Sequence, residues 1–175
     1  KDKKINFLKL IVGSSSDLSL TIKKDLFKKF KNKFVETYGM SETAFLTILD
    51  FNGYKKNYVK SVGKPCYNVK IKIDGNNNFE TEKIGEISTK TNLFSNLNKN
   101  NKLFSNNFFL TGDLGYLKNN YLFLTGRKKD IIIKSGVNIY PNDIEAEILK
   151  YKKIINCVVI GIKDNFFGEV PIAIC

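Results

Sequence analysis

Three short stretches of the sequence carry the side chains best suited to binding a phosphate-bearing ligand. The first is TYGMSETA at 37–44, which offers an aromatic ring, a glycine, a hydroxyl and a carboxylate at Tyr38, Gly39, Ser41 and Glu42. Such a set can stack on a base, contact a phosphate and hold a magnesium ion. The same residues also suit a polar turn at a strand end, so this stretch alone leaves both interpretations open.

The second stretch is TGDLGY at 111–116, where a Thr-Gly pair precedes Asp113 between two apolar runs. We expect a turn here, and aspartate is an ordinary turn residue. A carboxylate in this place can also accept hydrogen bonds from two vicinal hydroxyls, as carboxylates in nucleotide sites do for ribose. Both interpretations stay open on local grounds.

The third stretch, TGRKKDIIIKSGVNIYP at 125–141, contains a basic turn between apolar segments. Pro141 is expected to open a helix, because its fixed φ and missing N–H suit the first helical position. A basic turn is commonly a solvated surface turn. Alternatively, Arg127 faces a phosphate or ribose and the charged turn is a pivot between two lobes. The presence of the other two stretches favours the second interpretation.

The pattern of residues before the first stretch predicts a β-turn-α-β unit that positions it. An apolar run at 7–12 predicts a strand, and the apolar spacing from Leu18 through Ile22 to Phe30 predicts a helix over 18–30 with lysines on its other face. A second strand is predicted at 34–37. This order is typical of a parallel α/β layer, in which ligands bind at the carboxyl ends of the strands.

From 59 to 125 the pattern changes to short strands separated by turns. Residues 69–73 alternate with a period of two, and further strands are predicted at 84–88 and 121–124. The pattern predicts a small antiparallel, barrel-like subdomain. The Asn-, Ser- and Lys-rich segment 92–107 is predicted to be a loop.

The composition argues against several classes of protein. The net charge of +12 comes from lysines scattered over every segment, and no aromatic-basic or helix-turn-helix pattern accompanies them, so we expect no nucleic-acid partner. No run approaches the ~18 apolar residues of a transmembrane helix. Three cysteines without a C-x-x-C pair, and no histidine, make a zinc site or a disulfide framework unexpected, and a reducing cytoplasm fits.

Taken together, the motifs YGMSET, TGDLGYL and GRKKDIIIKSGVNIYPNDIEAEI resemble three successive motifs of the adenylate-forming, or AMP-binding, superfamily. This superfamily includes acyl-CoA synthetases, luciferases and the adenylation domains of peptide synthetases. GSSSDLS, VGKP, GEIST and VVIGIKDNFFGEVPIAI fit the same pattern, so the resemblance covers nearly the whole chain. The segment GVNIYPNDIE is most similar to the corresponding segment of fatty-acyl- and aryl-CoA ligases.

The resemblance implies a two-step reaction that uses ATP, Mg²⁺ and CoA. A carboxylic acid, fatty or aryl, reacts with ATP to give an acyl-adenylate and pyrophosphate, and the CoA thiol then forms the thioester. Two alternatives use the same core: an amino-acid adenylation module that loads a carrier protein, and a relic that binds nucleotide without chemistry.

The resemblance also implies roles for single residues. The implied ATP- and AMP-binding residues are Gly13, Ser14, Ser15, Tyr38, Gly39, Ser41, Asp113 and Arg127. Among them, Tyr38 would stack on adenine, Asp113 would take the ribose hydroxyls, and Arg127 would reach the ribose or the α-phosphate. Glu42 would hold magnesium, Lys129 would be the hinge of the small lobe, and Ser135 and Gly136 would lie near CoA.

The implied fold is α/β: residues 1–128 are the C-terminal part of the large lobe, with an α/β portion at 1–58 and a barrel-like portion at 59–128. Residues 129–175 begin an α+β small lobe. The chain lacks the Gly-rich phosphate loop and the C-terminal catalytic lysine of the family, so the resemblance implies a piece of a longer enzyme that is inactive alone. Ser41, Ser16 and Asn120 stand where Thr, Pro and Gly are usual.

Overall fold

The computed structural model describes residues 8–15, 18–74, 82–92 and 104–175, and structural statements below refer to these residues. The helices are α1 (Leu20–Phe30), α2 (Phe51–Lys55) and α3 (Pro141–Ile148). The strands are β1 (Ile11–Gly13), β2 (Phe34–Met40), β3 (Ala44–Leu49), β4 (Lys64–Pro65), β5 (Lys70–Ile73), β6 (Gly85–Lys90), β7 (Phe104–Ser105), β8 (Phe108–Lys118), β9 (Tyr121–Arg127), β10 (Ile132–Lys134), β11 (Val137–Ile139), β12 (Val158–Asp164) and β13 (Gly168–Ile174).

The first sheet has the order β1-β2-β3-β4 and contains the predicted β-turn-α-β unit. β1 pairs with β2 in parallel, and α1 connects them after an N-cap in which Ser19 Oγ accepts a hydrogen bond from the Ile22 amide. β2 continues three residues past the predicted strand 34–37, because it also pairs antiparallel with β3. Of the strand predicted at 7–12, residue 7 lies outside the described residues, and β1 itself ends at Gly13.

The second sheet is antiparallel, as predicted, with the order β5-β6-β8-β7 and with β9 also paired to β8. Register shifts between β6 and β8 and between β8 and β9 bend the sheet, which curls like half a barrel. Part of the segment predicted as a loop at 92–107 forms β7, which pairs with the start of β8. Residues 93–103 of that segment lie outside the described residues.

The third sheet has the order β11-β10-β13-β12 and is reached from β9 through a 3₁₀ turn at Lys128–Asp130. Pro141 occupies the first turn of α3, as its fixed φ predicts. This helix covers one face of the sheet, where Ile132, Cys157 and Val159 are buried. The α/β character of the chain and its antiparallel middle region are therefore confirmed.

Two buried clusters fix the first sheet against the second. Leu46 of β3 packs with Ile87 and Leu122 in one cluster, while Leu49 of β3 packs with Phe27 and other aromatic rings in the second. β3 and β9 thus contribute to both clusters, and this arrangement brings the end of β2 beside β8 and β9. In the described part of the chain, no helix has the length and apolar character that crossing a bilayer requires.

Candidate functional site

The centre of the candidate site is the carboxylate of Asp113, which is held from two sheets. Asp113 on β8 and Arg127 on β9 are register partners, and Arg127 Nε lies 3.2 Å from Asp113 Oδ1. From the first sheet, the Tyr38 hydroxyl donates a hydrogen bond of 2.7 Å to Asp113 Oδ2. We call this arrangement the Tyr38–Asp113–Arg127 cluster. It brings together three residues that the sequence placed in three separate stretches.

A kink in β8 sets the direction of Asp113. The Thr111 hydroxyl donates to the Ile87 carbonyl at 2.8 Å and accepts from the Asp113 amide at 3.1 Å. Between them, Gly112 has a φ of +74°, a conformation that L-residues with side chains rarely adopt. The Thr-Gly pair is therefore a bend inside one long strand, and the predicted turn between two strands is wrong. The long strand forms because β6 pairs with β8 on both sides of the bend, while β9 pairs with the part of β8 that follows it.

Burial is the main cause that raises the pKa of the Tyr38 hydroxyl above its ordinary value, and the adjacent Asp113 carboxylate raises it further. The hydroxyl therefore stays protonated and serves as a hydrogen-bond donor to Asp113. A hydrogen bond to a charged acceptor of this kind contributes about 1.5–3 kcal/mol.

Tyr38→Phe should lower the free energy of unfolding by an amount that depends on pH. Because the folded pKa is raised, the contribution of the hydroxyl is fully present below the unfolded pKa of about 10 and is lost as the pH rises further. Urea denaturation should show a wild-type advantage at neutral pH that shrinks above about pH 10. A stability advantage of the wild type that grows with pH would contradict a raised pKa of the Tyr38 hydroxyl.

The first of two clefts beside this cluster has a volume of about 320 Å³. It opens at the carboxyl end of β2 and is lined by Tyr38, Asp113 and Arg127 together with residues of both flanking sheets and of α3. These further residues are Ser15, Lys23, Glu36, Thr37, Gly39, Met40, Lys60, Val62, Leu124, Gly126 and Asn142. A volume of this size matches the lower range of small-molecule sites.

A buried ion pair lies at this cleft and was not found from the sequence. Lys23 Nζ on α1 lies 2.7 Å from Glu36 Oε2 on β2, and it donates toward the Ser61 carbonyl at 3.5 Å. The helical pattern placed Ile22 on the apolar face and the lysines outside, yet Ile22 is 52% exposed and Lys23 is 3% exposed. The prediction is wrong at these two positions, because Glu36 supplies an opposite charge that makes burial of the lysine tolerable.

The second cleft, of about 630 Å³, lies on the other side of the same cluster. Met40, Asp113 and Arg127 line both clefts. The residues that line only the second are Glu42, Glu86, Phe109, Leu110, Thr111, Gly112, Lys128 and Lys129. This cleft carries both carboxylates and lysines, so it suits a ligand with a charged phosphate chain and a cation.

Glu42 is the predicted magnesium ligand, and it lies in the turn between β2 and β3 at the second cleft. Among the described residues there is no group of three or more His, Cys, Asp or Glu side chains that could hold a metal ion. Mg²⁺ is often held by one or two carboxylates together with substrate phosphates. Glu42 therefore fits a magnesium ion that arrives with a nucleotide, and it does not fit a permanent metal cage.

The remaining nucleotide-binding candidates lie at different distances from the clefts. Ser15 lines the first cleft, and Gly13 accepts a hydrogen bond of 3.3 Å from the Thr37 hydroxyl through its carbonyl. Ser14 is exposed just after β1. Ser41 is exposed in the same turn as Glu42 and lines neither cleft. The structure thus brings Tyr38, Gly39, Asp113 and Arg127 to the first cleft, but not Ser41.

Gly39 is required at its position by a close approach of the backbone. A Cβ atom added there would overlap the carbonyl oxygen of Ala44 on β3, at a register shift between the two strands. Any side chain would therefore push apart the hairpin that carries Ser41 and Glu42. The close approach gives Gly39 a structural role in the hairpin, and the residue also lines the first cleft.

Gly39→Ala should destabilise the protein by about 1–3 kcal/mol, because the added methyl group meets backbone that cannot move freely. The matched control is Gly161→Ala, where the new Cβ would meet the Ile132 side chain at 3.1 Å instead of backbone, so a smaller loss is expected. Urea denaturation of both variants measures the difference. Equal losses would show that the β2–β3 hairpin tolerates the methyl group.

The proposed hinge and CoA residues lie beyond β9. Lys129 is the middle residue of the 3₁₀ turn and lines the second cleft, while its neighbour Lys128 forms an ion pair of 2.7 Å with Glu86 of β6. Ser135 and Gly136 form the β10–β11 turn with φ values of +49° and +80°. They line neither cleft, and the Ser135 amide donates instead to the Phe167 carbonyl at 2.8 Å.

The sequence of residues 1–95 matches the family described as AMP-binding enzyme. A relative from Staphylococcus haemolyticus, VraA, provisionally described as a long chain fatty acid-CoA ligase, is 34% identical over 99% of this chain and 37% of its own length. The fold resembles the structure of O-succinylbenzoate Coenzyme A synthetase from Bacillus subtilis in complex with AMP, with a TM-score of 0.82. The two sequences are 29% identical, and the match covers 99% of this chain and 37% of that chain. ATP-bound MatB from Rhodopseudomonas palustris is also 29% identical, with 94% and 34% covered and a TM-score of 0.80.

The chain belongs to the AMP-binding enzyme family, and the resemblance drawn from its three motifs is confirmed. It spans about a third of the length of the relatives that it matches. Its relatives include acyl- and aryl-CoA ligases, and its fold matches the C-terminal region of such enzymes.

Proposed function

We propose that this chain is part of an ATP-dependent acyl-CoA ligase that converts a carboxylic acid, fatty or aryl, to an acyl-adenylate and then to a CoA thioester. The observation that carries the proposal is the Tyr38–Asp113–Arg127 cluster at the wall between two clefts. A buried carboxylate, an aromatic ring and a guanidinium at one point can recognise ribose, base and phosphate together.

In this proposal the first cleft receives the nucleoside. The Tyr38 ring stacks on the adenine, and Asp113 accepts hydrogen bonds from the ribose hydroxyls. The purine pocket is lined by Ser15 and Gly39, with Gly13 and Ser14 as its more distant residues. Arg127 can leave its 3.2 Å contact with Asp113 toward the ribose or the α-phosphate, because its side chain is 61% exposed. A long, exposed guanidinium can make this change without moving the backbone.

The phosphates would then extend toward the second cleft, where Glu42 and two lysines lie. Mg²⁺ bound with the nucleotide would neutralise charge on the phosphates as pyrophosphate leaves. Glu42 would position that ion, and the Arg127 guanidinium would stabilise the charge that develops on the α-phosphate. Ser41, exposed in the same turn as Glu42, would contact the α-phosphate after a rotation of its side chain.

The proposed lobe organisation follows the two parts of the chain. Residues 1–128 form the end of the large lobe, with an α/β portion at 1–58 and a half-barrel portion at 59–128. Residues 129–175 begin the small lobe, with Lys129 as the hinge. Ser135 and Gly136, now away from both clefts, would meet the CoA pantetheine after the small lobe rotates.

The test is to express the complete reading frame that contains this chain and to assay pyrophosphate exchange with fatty, aryl and amino acids. Exchange with a fatty or aryl acid, followed by thioester formation when CoA is added, supports the ligase. Exchange with an amino acid and loading of a carrier protein supports the adenylation module instead. Binding of AMP without exchange by any acid supports a relic. The 175-residue chain alone should catalyse neither step.

A further inference from the structure

Two cysteines meet at the open end of the β12–β13 hairpin. The register of the two strands ends with Val158 opposite Ile174, which places Cys157 and Cys175 as the next facing pair. Their Sγ atoms lie 3.4 Å apart although the residues are eighteen positions apart in sequence. Neither residue lines a cleft of the candidate site, so the pair is separate from the proposed nucleotide chemistry.

The two thiols have unequal environments. Cys157 is 5% exposed and packs with Ile132 and Val159, whereas Cys175 is exposed. Burial, then the contact with Cys175, raises the pKa of the Cys157 thiol to about 11. Because burial and a raised pKa slow the reaction of the Cys157 thiol with a soluble oxidant, Cys175 reacts first, and Cys157 is the neighbour that can react with the product.

We propose that Cys157 and Cys175 are a reversible two-electron redox pair that is oxidised by peroxide. The Cys175 thiolate attacks one oxygen of hydrogen peroxide, the O–O bond breaks, and a sulfenic acid and one water result. The Cys157 sulfur then attacks the Cys175 sulfur, the S–O bond breaks, and the leaving hydroxide takes the Cys157 proton as a second water. Two thiols and one peroxide thus give one disulfide and two waters.

The geometry needs little change for this step. The sulfur atoms must approach from 3.4 Å to the ~2.05 Å of a disulfide, and facing residues of paired strands already hold their backbones close together. The bond would close a loop through the whole β12–β13 hairpin and so restrict the unfolded chain. Oxidation should therefore raise the thermal unfolding midpoint, and reduction should restore it.

The experiment treats the protein expressed from the complete reading frame with a slight excess of hydrogen peroxide, unfolds it, labels free thiols with a maleimide mass tag and locates the labels by peptide mapping. Counted over residues 1–175, which hold three cysteines, the wild type should fall from three labelled thiols to one, without forming dimers. Peptide mapping should find Cys157 linked to Cys175, and dithiothreitol should return all three thiols. The Cys66→Ser variant is the matched control and should form the same link, falling from two thiols to none.

Cys175→Ser is the second variant, and it replaces the sulfur with an oxygen in a side chain of similar size. It should keep its thiol at Cys157 under the same peroxide and lose the oxidation-dependent rise in unfolding midpoint. The proposal is overturned if Cys175 in the wild type accumulates as sulfinic acid while Cys157 stays free. Linkage of Cys175 to Cys66 or to a second molecule would also overturn it.

Discussion

Arg127→Ala in the proposed full-length ligase should lower kcat/KM for ATP by roughly ten- to a hundredfold. A charge-assisted contact to the nucleotide contributes about 1.5–3 kcal/mol, which converts to that range. Asp113→Ala should cause a loss of the same order, because the ribose hydroxyls would lose their acceptor. The measurement is initial-rate kinetics of pyrophosphate exchange at varied ATP.

Arg127→Lys separates charge from geometry in this test. Arg127 is the single arginine among 29 basic residues of the chain, and its planar fork can reach a carboxylate and a phosphate at once. Lysine keeps the charge but offers a point donor, so we expect only partial recovery of kcat/KM. Lys90→Ala, on an exposed residue outside both clefts, is the control for a general effect of charge. Wild-type kinetics in Arg127→Ala would remove this residue from the nucleotide site.

Lys129→Pro should separate the two half-reactions of the proposed ligase. Proline fixes φ and disfavours helical backbone at the preceding residue, and Lys128 and Lys129 both lie in the 3₁₀ turn between the proposed lobes. A lobe rotation about this turn would be hindered. We expect pyrophosphate exchange near the wild-type rate, and thioester formation from preformed adenylate slower by about tenfold or more, or at least 1.4 kcal/mol of barrier.

Lys129→Ala is the control for this prediction, because it removes the side chain and leaves the backbone free to rotate. It should change neither half-reaction appreciably. Equal loss of both steps in Lys129→Pro, with a lowered unfolding midpoint, would indicate misfolding. Equal retention of both steps would mean that the pivot lies elsewhere.

The sequence predicted those features that depend on local spacing. The β-turn-α-β unit, the antiparallel middle region and the helix that begins at Pro141 all follow from patterns a few residues long. It also predicted Tyr38, Asp113 and Arg127 as site residues, through the types of their side chains and their motifs.

What the sequence could not predict depends on contacts between distant residues. The hydrogen bond from Tyr38 to Asp113 joins residues 75 positions apart, and no local pattern contains it. The burial of Lys23 likewise follows from Glu36 on another element, and local amphipathic spacing points the wrong way there. The bend at Gly112 looks like a turn in sequence because glycine is typical of both, and only the pairing of β8 on both sides distinguishes them.

The two clefts have a common wall, formed by Met40, Asp113 and Arg127, and this has a thermodynamic consequence. A ligand in one cleft that engages the Arg127 guanidinium changes what the other cleft presents to its own ligand. Occupancy of the two clefts is therefore linked. If a ligand in the first cleft changes the affinity of the second ligand by some factor, the second ligand changes the affinity of the first by the same factor. Titrating a nucleoside with and without a phosphate-chain analogue would measure one coupling free energy from either direction.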